Sequence, residues 1–179
     1  FLRRAGVLSL VAFLSLVFIQ AADPLAGWVT YKDGKSGVAA LLPAQSELVR
    51  EHPIFGGTTG WARTASQEGL HATLVYEEFA VANESLEEMN RILGQYLAQK
   101  DRTLHSALTL PYKGQLMRQF RLSVQGMHVH SRHYLVNNRY YGLELRATDD
   151  FLPAEQVSRI FHAFVVEVAA AGGVASSQR

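Results

Sequence analysis

His128 and His130 stand one residue apart in Met127–Val136, a segment whose alternation reads as a β-strand. Side chains two apart in a strand share a face, so both imidazoles could reach one metal ion. Two ligands do not make a site. A third would come from Glu144, His71 or His105, and spacing does not choose among them. A metal-dependent hydrolase built on His128 and His130 is therefore one functional reading. Against it stand Arg121, Arg132 and Arg146, which the expected strand register sets beside the pair. Fixed positive charges oppose a dication and lower imidazole basicity. Solvated strand histidines are the favoured reading of the pair, and no metal or other cofactor is expected.

The same cluster suits an anion. Arginine forks match carboxylate and phosphate groups, which makes Arg121, His130, Arg132 and Arg146 the candidate ligand-binding set, with Glu144 able to neutralise one of them. The competing reading is a network of cross-strand charged pairs, each contributing about 0.2–1 kcal/mol.

Other motifs carry less. Gly34-Lys35-Ser36 lacks the earlier glycine and the following helix of a phosphate-binding loop, so it reads as a turn. Gly56-Gly57-Thr58-Thr59-Gly60 leads into a strand. No Gly-x-Ser-x-Gly elbow is present. Glu77 and Glu78 are adjacent in a strand, point to opposite faces, and cannot act as one acid–base pair. Asn83-Glu84-Ser85 is a glycosylation sequon, although Ser85 also explains itself as a helix cap. Trp61 and Phe55, near the glycine loop, could line a small groove, with the core as their favoured place.

These residues need elements to position them. Short strands are expected at Trp28–Tyr31, Val38–Leu42 and Ser46–Glu51, and a hairpin at Thr58–Ser66 and Leu70–Phe79. Ser85 and Glu88 have capping-box spacing. Leu86, Met89, Ile92, Leu93 and Tyr96 then form an apolar stripe, predicting a helix to about Lys100. Four strands follow as a meander: Thr103–Tyr112, Gln115–Val124, Met127–Val136 and Tyr140–Ala147. A last helix opens near Pro153 and buries Val157, Ile160, Phe161 and Phe164.

The register of the meander follows from its turns. A two-residue turn at Gln125-Gly126 pairs Leu122 with Val129 and Arg121 with His130. A two-residue turn at Asn137-Asn138 would set Leu145 opposite His130 and mix apolar with polar residues. A three-residue loop, Asn137-Asn138-Arg139, avoids this by pairing His130 with Arg146 and Arg132 with Glu144. The expectation is one apolar sheet face for the helices and one polar face carrying Gln119, Arg121, His128, His130, Arg132, Glu144 and Arg146. The fold class is α+β: an antiparallel sheet packed by two main helices.

The first 22 residues read as an address. Arg3 and Arg4 precede an uncharged apolar run from Ala5 to Ile19, then small residues before Asp23. This is the layout of a secretory signal peptide, with cleavage expected after Ala21 or Ala22. The expected organisation is a signal peptide over 1–22, one domain over 23–168 and a flexible tail over 169–179. Localisation is periplasmic or secreted, and membrane contact is expected only through an uncleaved leader. Removing Arg3 and Arg4 leaves 15 basic against 16 acidic groups. A near-neutral domain has no global field to gather nucleic acid. There are no cysteines, which excludes disulfides, thiolate metal sites and cysteine nucleophiles.

The strand Gly37-Val-Ala-Ala-Leu-Leu-Pro43, the central helix, the meander, the stretch Arg139-Tyr-Tyr-Gly-Leu-Glu-Leu145 and the close Ile160-Phe-His-Ala-Phe164 resemble PsbP-like domains, most of all their secreted bacterial members. The likeness spans roughly Trp28 to Val166 and is a pattern of elements. It implies an α/β/α sandwich and a non-enzymatic binding or assembly role, and it transfers no site residues. The functional expectation is an exported, non-catalytic binding or accessory domain acting on an envelope protein or a small anionic ligand. The alternatives are the hydrolase above and a structural envelope component.

Overall fold

The computed structural model describes residue 23 and residues 25–80, 86–99, 101–113 and 115–167. The expected leader, the Ser85 cap, the sequon, Gly114 between the first two strands of the meander and the 169–179 tail lie outside the described residues.

The described chain runs β1 (Trp28–Asp33), β2 (Val38–Pro43), β3 (Glu47–Arg50), β4 (Thr59–Gln67), β5 (Leu70–Glu78), α1 (Leu86–Leu97), β6 (Arg102–Tyr112), β7 (Gln115–Val124), β8 (Met127–Val136), β9 (Arg139–Ala147), α2 (Ala154–His162) and β10 (Val165–Val166). A seven-stranded sheet has the order β3-β4-β5-β9-β8-β7-β6, and a three-stranded sheet the order β1-β2-β10. Their strand pairs are antiparallel. The chain leaves β5, passes through α1 to the far edge, and returns strand by strand until β9 closes against β5.

Local chemistry sets the hairpins. Glu68-Gly69 joins β4 to β5 with φ of 50° and 79°, and Gln125-Gly126 joins β7 to β8 with φ of 49° and 81°. Positive φ at both central residues gives the turn whose twist matches the flanking strands, and glycine takes it without steric cost. The β7–β8 register is the one expected: Leu122 faces Val129 and Arg121 faces His130.

Both faces of the large sheet are covered. Met89, Ile92, Leu93 and Tyr96 of α1 pack on Phe120, Leu122, Val124, Val129 and Leu135, with Phe55 and Tyr140 completing that layer. On the other face Leu70, Leu74, Tyr134, Leu143 and Leu145 meet Val38, Ala40, Leu42 and Val166 of the small sheet and Val157, Ile160 and Phe161 of α2. Each fully buried aliphatic side chain contributes about 1.5–3 kcal/mol relative to exposure.

Two expectations are corrected. The chain is not an α+β sandwich with two main helices on one sheet. Among the described residues it is mostly antiparallel β-structure in two sheets, with helices of only 12 and 9 residues. The layer opposite α1 is a second sheet with α2 beside it: the β1–β2 hairpin packs there, and Val165 and Val166 add a third strand by pairing with Ala39 and Val38 from the other end of the domain. No local sequence pattern announces that pairing.

The second correction is the β8–β9 register. Asn137-Asn138 is a two-residue turn with Val136 opposite Arg139, not a three-residue loop. His130 therefore faces Leu145, Val129 faces Arg146, Ser131 faces Glu144 and Arg132 faces Leu143. The three-residue loop was preferred so that one face could stay apolar and the other polar. With both faces covered, that requirement is gone, and the single polar face does not exist.

Candidate functional site

The register divides the predicted site residues between two faces. Arg121, His128, His130 and Arg132 lie on the α2 side, and Glu144 and Arg146 lie on the α1 side. The four residues of the expected anion set are thus not brought together: Arg146 is across the sheet from Arg121, His130 and Arg132.

On the α2 side, Phe151 covers the histidine pair. Its ring centroid is 4.5 Å from that of His128 and 5.4 Å from those of His130 and His105. The Arg121 guanidinium sits 3.7 Å from the same ring centroid. Burial, aided by the Arg121 charge, lowers His130 to about 4, so the ring is neutral at physiological pH. His128 Nδ1 and His130 Nε2 are buried without a hydrogen-bond partner among the described residues. Among those residues no group of three His, Asp or Glu side chains could hold a metal. His71 bonds Ser66 and Glu144 lies across the sheet, while His105, against the same Phe151 ring, has its Nε2 taken by Ser123 at 2.8 Å.

Arg132 has a structural task. It donates to the Phe161 carbonyl at 2.7 Å and to Gln119 Oε1 at 2.9 Å, and stacks on the Phe161 ring. Phe161 lies in the last turn of α2, where its carbonyl accepts only a 3.3 Å turn bond from the Phe164 N–H and a cation complements the dipole.

On the α1 side a buried polar network surrounds Glu144. Tyr96 Oη and Arg102 Nη1 donate to its Oε2, and Arg146 Nε donates to its Oε1. Burial alone would raise the Glu144 carboxyl. The charges of Arg146 and Arg102 and the Tyr96 hydrogen bond outweigh it and hold the carboxyl below its ordinary value. Arg102 also donates to Gln99 Oε1 and lies 4.0 Å over the Tyr96 ring. Next to them, His133 bridges Tyr140 Oη at 2.7 Å and Ser131 Oγ at 2.9 Å. Burial pushes His133 down to about 3, the Arg102 charge adding to this and Glu144 opposing it. Gly142 makes the bridge possible, since a Cβ there would lie 2.9 Å from Tyr140 Oη and 3.2 Å from His133 Nδ1.

Glu77 and Glu78 point to opposite faces, as strand alternation requires. Glu77 is fully buried, and its carboxylate accepts the backbone N–H groups of Ile54, Phe55 and Gly57. It thereby pins the loop before β4. Glu78 faces the small-sheet side, where it borders a groove of about 640 Å³.

That groove was only partly legible in the sequence. Its floor is formed by the cross-strand pair Trp61 and Tyr76, which starts a row that continues into the core through Tyr141 and Tyr134. Trp61 and Tyr76 centroids are 5.7 Å apart, Tyr76 and Tyr141 5.5 Å. Tyr31 meets Trp61 edge-on at 6.1 Å and carries the Arg63 guanidinium 4.7 Å above its own ring. The rim holds charges of both signs: Asp33, Glu51 and Glu78 with Lys35, Arg63 and Arg139. Glu78 accepts from Tyr76 Oη at 2.8 Å and from Asn138 Nδ2 at 3.2 Å, with Arg139 Nε 3.8 Å away. The Tyr76 hydrogen bond leads in lowering the Glu78 carboxyl, against burial, and Asn138 and Arg139 add to it. Trp61 was flagged from its place beside the glycine loop. Phe55, grouped with it, lies instead in the α1-side core against Tyr140.

A seven-stranded antiparallel sheet with one helix across one face and a small sheet and short helix on the other is a PsbP-like fold. Among solved structures it is similar to cyanobacterial PsbP (CyanoP) from Synechocystis sp. PCC 6803, determined in solution. The TM-score is 0.54 at 15% identity, covering 79% of this chain and 94% of that one. At that identity the likeness shows the fold alone. No protein-family model and no curated protein matches this chain.

Proposed function

We propose that this chain is an exported, non-catalytic binding domain and that its ligand seats in the groove floored by Trp61. The observation that carries this reading is the aromatic platform itself. Trp61, Tyr31 and Tyr76 present tilted and edge-on rings to a cavity of about 640 Å³, within the roughly 300–1,000 Å³ range of small-ligand sites. Rings locked by cross-strand neighbours lose little entropy when a ligand lands on them. The two-signed rim favours an amphipathic ligand with hydrogen-bonding groups, such as a sugar or a peptide side chain, over a bare ion. Export rests on the leader-like first 22 residues. The test is a heteronuclear NMR screen with a fragment library. Hits should shift the Trp61 indole and the amides of Tyr31, Thr59 and Arg139, and Trp61→Ala should abolish them while the rest of the spectrum persists. Hits that ignore Trp61, or an empty screen, would overturn the assignment.

A further inference from the structure

The pocket on the α1 side is separated from that groove by the seven-stranded sheet. We propose that it is a second binding site, for a small organic anion with a compact apolar body.

Its volume is about 230 Å³, room for roughly eight water volumes. It holds a small molecule and not a polymer segment. Three arginines line it, Arg50, Arg102 and Arg146, against the single carboxylate of Glu144. The cavity therefore carries two positive charges in excess.

Those charges are not equivalent. Arg102 is 5% exposed and bonded to Glu144 and Gln99, so it anchors the wall. Arg146 commits only Nε, to Glu144 Oε1. Its two terminal nitrogens have no partner among the described residues, and Arg50 makes no hydrogen bond to them either. Both Glu144 oxygens are already occupied by Tyr96, Arg102 and Arg146. What remains on offer is a guanidinium edge held in place by a buried carboxylate, and a second guanidinium at the mouth. A planar fork fixed in this way suits an oxyanion.

The rest of the lining selects the body. Ile54, Phe55 and Val75 are apolar, and Gly142 keeps that part of the wall free of a side chain. His133 adds no charge, because it is buried, neutral and engaged with Ser131 and Tyr140. A head group against Arg146 and Arg50 and a short apolar body against Ile54, Phe55 and Val75 would satisfy both parts. A cation is opposed by the surplus charge, and an inorganic anion leaves the apolar wall unused.

Calorimetric titration tests this with three probes: benzoate, inorganic phosphate and benzyl alcohol. Benzoate should bind, and the other two at least tenfold more weakly. Arg50→Gln should weaken benzoate about tenfold with the thermal midpoint unchanged, since the Arg50 side chain bonds nothing among the described residues and its backbone pairing in β3 is kept. Arg146→Gln should weaken it further. Trp61→Ala should leave benzoate binding intact, which separates this site from the groove. The proposal is overturned if benzoate does not bind, if phosphate or benzyl alcohol binds as well as benzoate, or if Arg50→Gln has no effect.

Discussion

His133 provides a direct measurement of how the interior is built. Its ring is enclosed by Tyr96, Phe120 and Tyr140 and hydrogen-bonded to Tyr140 and Ser131. In the unfolded chain it titrates near 6.5, and in the folded protein at about 3. The folded state thus binds fewer protons than the unfolded state throughout that interval. The His133 contribution is full above about pH 6.5 and is lost as pH falls toward 3. Between pH 7 and pH 4 the loss from this one group is about 3 kcal/mol. That is a large part of the roughly 5–15 kcal/mol that holds a domain together. Urea unfolding followed by circular dichroism at pH 7, 5.5 and 4 measures it when the chain is compared with His133→Gln. The glutamine variant is less stable at pH 7, because it makes the two hydrogen bonds less well. Its stability should then fall less with acid, so that the difference between the proteins narrows by about 3 kcal/mol at pH 4. Carboxylates such as Glu144 titrate in both proteins and cancel. Parallel pH dependences would refute the reasoning, because they would mean that the folded protein lets His133 take up its proton.

Two further outcomes follow from the same network of buried polar groups. Glu77→Gln should cost about 2–4 kcal/mol in chemical denaturation, because an amide cannot accept the N–H groups of Ile54, Phe55 and Gly57 as a carboxylate does; Glu78→Gln, on the exposed side, should cost clearly less. Arg132→Met should lower the thermal midpoint by the equivalent of about 1–3 kcal/mol, since it removes the charged donor shared by Gln119 and the Phe161 carbonyl and leaves that carbonyl only the Phe164 N–H at 3.3 Å, and it should leave benzoate binding unchanged.

The elements were legible because their signals are local. Met89, Ile92, Leu93 and Tyr96 recur at helical spacing, and all four are buried in α1. The strand bounds of β7 and β8 and their register follow from one Gln-Gly turn. The opposed directions of Glu77 and Glu78 need only the two-residue period of a strand. The candidate site was less legible, because one turn decided it. Asn137-Asn138 accommodates either loop length in sequence terms, and the choice rested on keeping one face apolar. The true register sends Glu144 and Arg146 to the other side of the sheet. There they meet Tyr96 and Arg102, residues 48 and 42 positions from Glu144. Phe151, which covers His128 and His130, comes from beyond the last strand of the meander and carried no sign of that position.

Histidines two apart, the arginines Arg118, Arg121 and Arg132, the helix stripe and the absence of cysteine belong to the sequence by itself, since each depends only on residue type and short spacing. What covers each face of the sheet belongs to the tertiary structure. The second sheet gains its third strand because Val165 and Val166 find the β1–β2 hairpin, and the row from Trp61 to Tyr134 exists because β5 closes against β9. Such long-range pairings are set by the burial of whole surfaces, which no window of sequence contains. They alone decide whether a polar strand residue meets solvent, a partner charge or a covering phenylalanine. The histidine pair, a metal candidate when read along the chain, lies in the folded protein beneath Phe151.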